Sequence, residues 1–381
     1  MRSAAWLLAA MAMTWSWSAA PVRADDDQLD WDPETTSVFI VGILEWERSD
    51  LYGSFPDCMP DRRDQQLADF FHEAGVPDDR IVYLQDSEAT KKRIRKELGE
   101  LLDETDEGET VIIYFAGHGY RDDDSGDTWF ACYDAGDENE SGWAVKDIFD
   151  EVENRFSGDR ALLLADCCHS GALYDEARER ASDSDITYGV ITSSYAHNTS
   201  TGNWTFTDAL LAGWRGDGLC DLNGDGYVGL REIARYGELE LAFIEGQKSM
   251  FYAGEDFPAD AALAVVETEP KPRVGERVEV EWRGKWFRAT SIDADGDQIL
   301  VHYNGFGSDT DEWVGPDRVR PYDPAQFAEG DRVEVEWSKD GKWYPARVER
   351  GWYGLHKVRY DGDDESSDEW VGPGKVRLRG E

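Results

Sequence analysis

Two stretches decide the fold: VIIYFAGHGY (Val111–Tyr120) and ALLLADCCHSGAL (Ala161–Leu173). Each begins with a run of apolar residues, which is typical of a strand buried in a parallel sheet. Each run then ends abruptly at glycine, histidine or cysteine. Because ligands of open α/β sheets bind beyond the carboxyl ends of the strands, we expect His118 and Cys168 to face one crevice.

A histidine beside a cysteine is the pair of groups that a cysteine protease needs. The imidazole can hold the sulfur as a thiolate and later protonate a leaving amine. Gly117 and Gly119 flank His118 and would let the backbone approach a substrate closely. The alternative is that Cys167 and Cys168 are small core residues, since free cysteine is among the most buried residue types. The neighbouring GHG and HSG motifs favour catalysis, and strand alternation predicts that Cys167 faces away from Cys168.

The motif DCCHSG (Asp166–Gly171) resembles the D-x-C-H-S-G of metacaspases more closely than the QAC[RQG]G of caspases. The stretch Arg62–Leu98 is similar to the helix–strand–helix that precedes the histidine strand in that group. For residues 36–266 the resemblance implies a caspase-like α/β domain, whose mostly parallel sheet has helices on both faces. It also implies a cysteine endopeptidase that works through an acyl-enzyme.

The resemblance further implies roles for single residues. Cys168 corresponds to the nucleophile and His118 to its general acid/base. The backbone N–H groups of Gly119 and Cys168 would form the oxyanion hole, where fixed donors stabilise negative charge. A second hypothesis is a catalytically silent scaffold of the same fold, in which the binding modules at the carboxyl terminus carry the function.

Acidic residues near the nucleophile predict the substrate class. By the same resemblance, Asp166 corresponds to an acid of the specificity pocket. Asp64 is the predicted second acid, with Asp57 and Asp61 as alternatives. Because a buried carboxylate requires a cationic partner, the predicted substrate is a peptide or protein with Arg or Lys before the scissile bond.

The segment after the nucleophile contains two candidate self-cleavage positions. By resemblance, Tyr174–Thr187 is the linker at which members of the family cut themselves, and an acidic pocket would accept Arg178 or Arg180. An ordinary charged helix end explains these residues equally well, and the sequence leaves both interpretations open.

The segment DLNGDGYVGLRE (Asp221–Glu232) fits the twelve-residue calcium loop, with Gly226 at the sixth position and a predicted helix at Leu230–Ala242. The predicted calcium ligands are Asp221, Asn223, Asp225, the carbonyl of Tyr227, and Glu232. The alternative is a simple Asn-Gly-Asp-Gly turn.

Residues 1–24 have the layout of a signal peptide. Arg2 is followed by the apolar run Ala4–Met13 and by Val22-Arg23-Ala24, so cleavage is predicted near Ala24 and the mature chain is predicted to be secreted or periplasmic. The apolar run is too short for a membrane anchor, and no other stretch approaches a spanning length. We therefore expect no stable membrane insertion.

The chain is strongly acidic, with a formal net charge of −42. Residues 1–269 carry −36 of this charge and residues 270–381 carry −6. Such a surface repels nucleic acid and favours basic partners or substrates. Adaptation to high salt would give the same composition, and the sequence does not separate the two explanations.

After a predicted linker at 267–272, residues 273–322 and 327–379 each contain one copy of a repeat. The segments VGERVEVEWRGKWFRAT (Val274–Thr290) and VHYNGFGSDTDEWVGPDRVR (Val301–Arg320) correspond to AEGDRVEVEWSKDGKWYPARV (Ala328–Val348) and VRYDGDDESSDEWVGPGKVR (Val358–Arg377). Period-two alternation and Gly/Asp turns predict two small all-β barrels of the SH3 type, which resemble Tudor-like and chromo-barrel modules.

Such modules are binding units, and some grip cations with an aromatic cage. The candidate cage residues are Trp286, Tyr303, Trp313, Trp343, Tyr360 and Trp370. The alternative is that most of these rings pack the barrel cores. The ligand is unknown; a basic peptide, a wall component or the enzyme's own acidic face are the candidates.

Overall fold

The computed structural model describes most of the chain. The described residues are 29–122, 124–137, 141–266, 273–322, 327–337, 340–352, 355–364 and 367–379. The predicted signal peptide and the predicted linker at 267–272 lie outside them. None of the described helices is long and apolar enough to cross a membrane.

The first domain alternates strands and helices. Its strands are β1 (Thr36–Gly42), β2 (Ile81–Gln85), β3 (Thr110–Ala116), β4 (Gly119–Arg121), β5 (Thr128–Phe130), β6 (Trp143–Ala144), β7 (Arg160–Asp166), β8 (Thr187–Thr192), β9 (Tyr227–Gly229), β10 (Met250–Ala253) and β11 (Ala262–Val265). Its α-helices are α1 (Arg63–Glu73), α2 (Lys91–Asp103), α3 (Val145–Arg155), α4 (Ala172–Arg180), α5 (Thr205–Trp214) and α6 (Leu230–Glu240). A π-helical turn, Leu241–Glu245, continues α6.

The central sheet has the order β10–β8–β7–β3–β1–β2. Only the edge strand β10 is antiparallel; the other five strands are parallel. Alternating side chains of β1 enter two separate cores. Phe39 and Val41 join the core formed with α2, α3 and α4, whereas Val38 and Ile40 join the one formed with α1, α5 and α6. The predicted mostly parallel sheet with helices on both faces is therefore confirmed.

The sheet also sets the place of the candidate site. Strands β3 and β7 are parallel neighbours, and Ala116 at the end of β3 lies opposite Asp166 at the end of β7. Two residues beyond these ends come His118 and Cys168. The same edge of the sheet therefore carries both residues.

The two repeats form two small antiparallel barrels with the same topology. Barrel 1 consists of β12 (Arg277–Trp282), β13 (Lys285–Asp295), β14 (Gln298–Tyr303), β15 (Glu312–Val314) and β16 (Val319–Pro321). Barrel 2 consists of β17 (Arg332–Glu336), β18 (Trp343–Trp352), β19 (Leu355–Tyr360), β20 (Glu369–Val371) and β21 (Val376–Leu378). Their sheet orders, β15–β14–β13–β12–β16 and β20–β19–β18–β17–β21, correspond strand by strand. The prediction of two all-β modules is confirmed.

Candidate active site

Cys168 lies in the loop between β7 and α4, half-buried beneath the loop that follows β8. The backbone N–H of Ser200 donates to its sulfur at 3.2 Å. This amide and the amide of Cys168 itself favour the thiolate, but burial outweighs them and raises the pKa of the Cys168 thiol. The neighbouring Cys167 is buried in the core, and all five cysteines are free thiols.

His118 lies in an aromatic enclosure. Its ring is 4.5 Å from the ring of Trp46 and 4.7 Å from that of Phe55, centroid to centroid. Its Nε2 donates to the carbonyl oxygen of Gly53 at 2.8 Å, so a neutral ring has its lone pair on Nδ1. Burial lowers the pKa of His118, which favours the neutral imidazole.

The backbone brings the two loops into contact. A Cβ atom on Gly119 would lie 1.9 Å from the carbonyl oxygen of Cys168, so only glycine allows this approach. Gly117 has a φ of 151°, a conformation that favours glycine, and donates its N–H to the carbonyl of Asp166 at 3.3 Å. Glycines on both sides of His118 thus fit its loop against the end of β7. Among the described residues, His118 and Cys168 do not hydrogen-bond to each other.

Asp166 lies at the base of an opening beside this edge of the sheet. It is 9% exposed and lines the opening together with Cys58, Gly117 and Trp204. Thr207 donates to its carboxylate at 2.7 Å. Burial raises the pKa of Asp166 to about 7, despite this hydrogen bond.

The predicted second pocket acid, Asp64, lies in a different environment. It is fully buried at the start of α1, where Arg62 forms an ion pair with it at 2.6 Å and Tyr83 donates to it at 2.9 Å. Arg62 also pairs with Asp86 at 2.7 Å. The structure therefore gives Asp64 an internal cation and does not place it in the lining of the opening at Asp166.

One alternative to Asp64, the residue Asp61, also has a basic partner. Asp61 forms an ion pair with Arg63 at 2.5 Å, and Arg63 also contacts Asp208. The sequence shows the acids of this segment but not the arginines that neutralise them, because those pairs depend on how α1 packs against the sheet.

The candidate self-cleavage residues are helical. Arg178 and Arg180 lie in the last turn of α4. Arg180 forms ion pairs with Asp150, Glu153 and Glu176 at 2.7–2.8 Å. A protease binds its substrate as an extended chain, so cleavage here requires that this helix end unwind and that these pairs separate.

The predicted calcium loop folds around its own amides. Asp221 accepts from the N–H groups of Gly224 and Gly226, and Glu232 accepts from those of Leu222 and Asn223. The predicted turn glycine, Gly226, has a φ of 89°, and α6 follows at Leu230. Among the described residues, no group of three His, Cys, Asp or Glu side chains is arranged to hold a metal ion. Each carboxylate has about four lone-pair sites, so these hydrogen bonds leave acceptor positions on Asp221 and Glu232.

The six predicted cage residues do not come together. Trp286 and Trp343 lie under Arg320 and Arg377, with the cation 4.1 Å and 4.0 Å from the ring centroid. Trp313 is 43% exposed, and Trp370 is buried against the first domain. Of the six, only Tyr303 and Tyr360 join a cluster of rings, one in each barrel.

These clusters are completed by rings that the sequence interpretation missed. They are Trp282, Phe287 and Phe306 in barrel 1, and Trp337 and Tyr344 in barrel 2. Strand pairing could have identified two of them. Phe287 pairs with Val280 and Tyr344 with Val335, and cross-strand partners share a face. Since both valines are core residues, their partners turn inward and the adjacent tryptophans turn outward.

Family models match both parts of the chain. Residues 53–228 match the caspase domain (Peptidase_C14), and residues 275–324 and 330–380 each match the Agenet domain. Metacaspase-4 of Arabidopsis thaliana is 32% identical over 122 residues, which cover 29% of this chain and 28% of that protein. Metacaspase-7 of the same species is 32% identical over 108 residues, which cover 26% of each. The matched part is little more than a quarter of these relatives.

A solved structure, Arabidopsis thaliana AGDP1 AGD34, is similar to the barrels. It is 23% identical, covers 28% of this chain and 80% of that chain, and has a TM-score of 0.13. The assignment of the domains therefore rests on the family models and not on this structural similarity. The chain contains a caspase domain followed by two Agenet domains.

Proposed function

We propose that the first domain is a cysteine endopeptidase that cleaves peptide bonds after Arg or Lys. The observation that carries this proposal is the contact between Gly119 and the backbone of Cys168, which joins the His118 loop to the Cys168 loop at one edge of the sheet. The match to the caspase domain and the similarity to metacaspases support the same reaction class. The finer assignments of residue and substrate rest on the resemblance of the motifs around His118 and Cys168 to those of metacaspases, together with the geometry of the site.

In the proposed mechanism, the sulfur of Cys168 attacks the scissile carbonyl and its proton passes to Nδ1 of His118. The amides of Gly119 and Cys168 stabilise the oxyanion. His118 then protonates the leaving amine, which leaves an acyl-enzyme that water hydrolyses. Because burial favours both the thiol and the neutral imidazole, the proton moves during the attack and not before it.

Asp166 is the proposed specificity residue. A guanidinium or ammonium group bound beside it favours the carboxylate and lowers its pKa from about 7. Below pH 7, Asp166 must therefore lose a proton when the substrate binds, whereas above pH 7 its carboxylate is already ionised. We expect kcat/KM for Arg peptides to rise as the pH increases through 7, and Asp166→Asn to abolish both the rise and the preference for Arg.

The decisive experiment is hydrolysis of matched fluorogenic peptides that end in Arg, Lys or Asp. The chain from Asp25 onward is compared with Cys168→Ala and with Cys167→Ala, which makes the same chemical change one residue away. We expect cleavage after Arg and Lys that falls at least about 10³-fold in Cys168→Ala and persists in Cys167→Ala. Cleavage after Asp would overturn the pocket assignment, and equal loss in both variants would overturn the nucleophile.

A silent scaffold is the second candidate function. The observation in its favour is that His118 and Cys168 hydrogen-bond to Gly53 and Ser200, while burial moves both pKa values away from an ion pair. Alkylation by iodoacetamide separates the two. An activated Cys168 reacts faster than the buried cysteines and faster as His118 loses its proton; a silent one reacts at the rate of an ordinary hindered thiol.

Three further assignments belong to this proposal. The loop Asp221–Glu232 binds calcium, the chain is exported through its amino-terminal segment, and the barrels direct the peptidase to a partner.

Calorimetric titration with calcium tests the calcium loop. The unaltered protein is compared with Glu232→Gln, since Glu232 closes the loop at its twelfth position. No heat in the unaltered protein would overturn it.

A further inference from the structure

The loop that follows β8, residues 193–201, lies over the nucleophile, and we call it the cap loop. The N–H of Ser200 donates to the sulfur of Cys168 at 3.2 Å. The next residue, Thr201, lines the opening at Asp166. The position of the cap loop therefore sets both the surroundings of the sulfur and one wall of the proposed specificity pocket.

One buried side chain, that of Gln247, joins the two ends of the cap loop. Its amide nitrogen donates to the carbonyl oxygen of Ser193 and, at 3.0 Å, to the hydroxyl of Ser200. Its amide oxygen accepts from the N–H of Thr201 at 2.7 Å. Because a backbone N–H can only donate and a carbonyl can only accept, these partners fix the orientation of the amide. Gln247 thus holds the cap loop closed from outside it.

The residue after Gln247 is anchored in barrel 2. Lys248 and Glu369 are both buried, and they form an ion pair through Oε2 of the glutamate. The other carboxylate oxygen, Oε1, accepts from the hydroxyl of Tyr360 in the same barrel. Separating a buried ion pair is costly, because it leaves buried charge behind. Barrel 2 therefore fixes the chain at Lys248 and, with it, the neighbouring Gln247.

A second contact joins barrel 2 to the cap loop directly. The hydroxyl of Tyr195 donates to the carbonyl oxygen of Asp368 at 2.7 Å. The carbonyl oxygen of the next residue, Ala196, accepts from Nδ1 of His169 at 3.0 Å. His169 directly follows Cys168 in the chain. Barrel 2 and the catalytic loop thus contact the same short segment from two sides.

Barrel 1 provides a comparison within the same chain. Its glutamate at the equivalent position, Glu312, pairs with Arg318 of its own barrel at 2.7 Å. Barrel 2 has Lys375 at the position of Arg318, and its glutamate, Glu369, pairs with Lys248 of the first domain. The same carboxylate therefore closes a contact within barrel 1 but links barrel 2 to the segment that holds the cap loop.

We propose that Gln247 is a positioning residue of the active site and that barrel 2 fixes it through the ion pair between Glu369 and Lys248. In this arrangement Gln247 keeps the N–H of Ser200 on the sulfur of Cys168 and keeps the wall of the specificity pocket in place. The docked position of barrel 2 is thus a condition for an ordered active site. That this order serves catalysis rests on the proposed peptidase function; the coupling of barrel 2 to the cap loop does not.

The test is hydrogen exchange of the full chain, resolved to single amides by mass spectrometry and measured at the N–H of Ser200. Gln247→Met keeps the length of the side chain and removes its hydrogen bonds, and Glu369→Gln removes the charge that anchors Lys248. We expect each variant to accelerate this exchange about tenfold, the effect of one hydrogen bond. Glu312→Gln, the same substitution in barrel 1, should leave it unchanged. Because no turnover is measured, failure of the peptidase proposal does not affect the result.

The double variant Gln247→Met/Glu369→Gln tests the route of the coupling. If barrel 2 acts on Ser200 through Gln247, the double variant exchanges this amide no faster than Gln247→Met alone. Effects that multiply, or an unchanged rate in Glu369→Gln, would overturn the proposal. Tyr195→Phe removes a single hydroxyl and replaces Glu369→Gln if that variant fails to fold. It should accelerate the exchange a few-fold, and an unchanged rate would equally overturn the coupling.

The consequence for catalysis is measured separately, on a peptide that ends in Arg. Gln247→Met and Glu369→Gln should each lower kcat/KM about tenfold, because a small displacement of the cap loop misplaces the reacting groups, whereas Glu312→Gln should leave it unchanged. Faster exchange at Ser200 with an unchanged kcat/KM would overturn the positioning role. Absence of cleavage by the unaltered chain would overturn the peptidase function, while the exchange rates would still decide whether barrel 2 controls the cap loop.

Discussion

The two barrels carry the same DEWV sequence and use it in opposite ways. In barrel 1, Glu312 pairs with Arg318 of the same barrel and Trp313 is 43% exposed. In barrel 2, Glu369 pairs with Lys248 of the first domain and Trp370 is 3% exposed. The fold of the motif is the same; what differs is the surface that covers it.

The first domain determines which copy is covered. The guanidinium of Arg235, on α6, lies 4.1 Å from the ring centre of Trp370, and Tyr195 donates its hydroxyl to the carbonyl of Asp368 at 2.7 Å. Barrel 1 contacts the first domain through another face, where Arg277 pairs with Glu240 at 2.6 Å. A repeated motif can therefore serve as a docking surface in one copy and remain available in the other.

Replacing each of the two tryptophans by alanine should give the largest difference in stability between the two barrels. Trp370→Ala removes a buried ring that packs beside Leu239 and Phe243, so we expect it to lower the free energy of unfolding by about 3–5 kcal/mol. Trp313→Ala removes an exposed ring and should change it by less than about 1 kcal/mol. Thermal denaturation of both variants measures the difference.

Equal destabilisation by the two tryptophan variants would contradict the docked position of barrel 2. A deletion that ends the chain before residue 327 provides the control. In that background Trp370 and its contacts are absent, and the first domain should unfold at the temperature of the Trp370→Ala variant or below it.

The sequence predicted the fold of both barrels but did not predict the contact between Trp370 and the first domain. The apolar runs of β3 and β7 are long enough to identify neighbouring buried strands, and period-two alternation identifies the strands of both barrels. Nothing in DEWV distinguishes Trp313 from Trp370, because burial of Trp370 depends on Arg235 and Lys248, more than a hundred residues earlier in the chain. Such contacts follow from how domains dock, which local pattern does not encode.

In the candidate site, too, the sequence predicted the arrangement of the strands but not the contacts of single side chains. The meeting of the His118 and Cys168 loops follows from parallel strands whose ends lie side by side, so the sequence alone predicted it. The pairing of Asp64 with Arg62 was missed, because a charged residue two positions away is as compatible with solvent as with an ion pair. The structure places Tyr344, and not the predicted Trp343, in the ring cluster of barrel 2, because which of them turns inward depends on how β18 pairs with β17.

A smaller difference between the two barrels is expected when a single tyrosine hydroxyl is removed. Tyr195→Phe removes the hydrogen bond between the first domain and Asp368, so we expect a loss of about 1 kcal/mol and faster hydrogen exchange in barrel 2. Tyr303→Phe removes a hydroxyl that donates to Glu312 within barrel 1, at 2.8 Å. Exchange should then increase in barrel 1 only. Increased exchange in both barrels from either variant would show that they unfold as one unit.

The smallest expected effect distinguishes the two glutamates by pH. Hydrogen bonds from Arg318 hold the pKa of Glu312 below its usual value, so the carboxylate stabilises barrel 1 above the unfolded pKa of about 4.3 and this stabilisation is lost as the pH falls through the folded pKa. Since the pair is partly exposed, Glu312→Gln should cost less than about 1 kcal/mol at pH 7 and still less at pH 3. Glu369→Gln, which leaves Lys248 buried without its carboxylate, should cost more at pH 7. The melting temperatures of both variants are measured at pH 7 and at pH 3. If the two variants lower the melting temperature equally at pH 7, the contact of barrel 2 with the first domain adds no stability through Glu369.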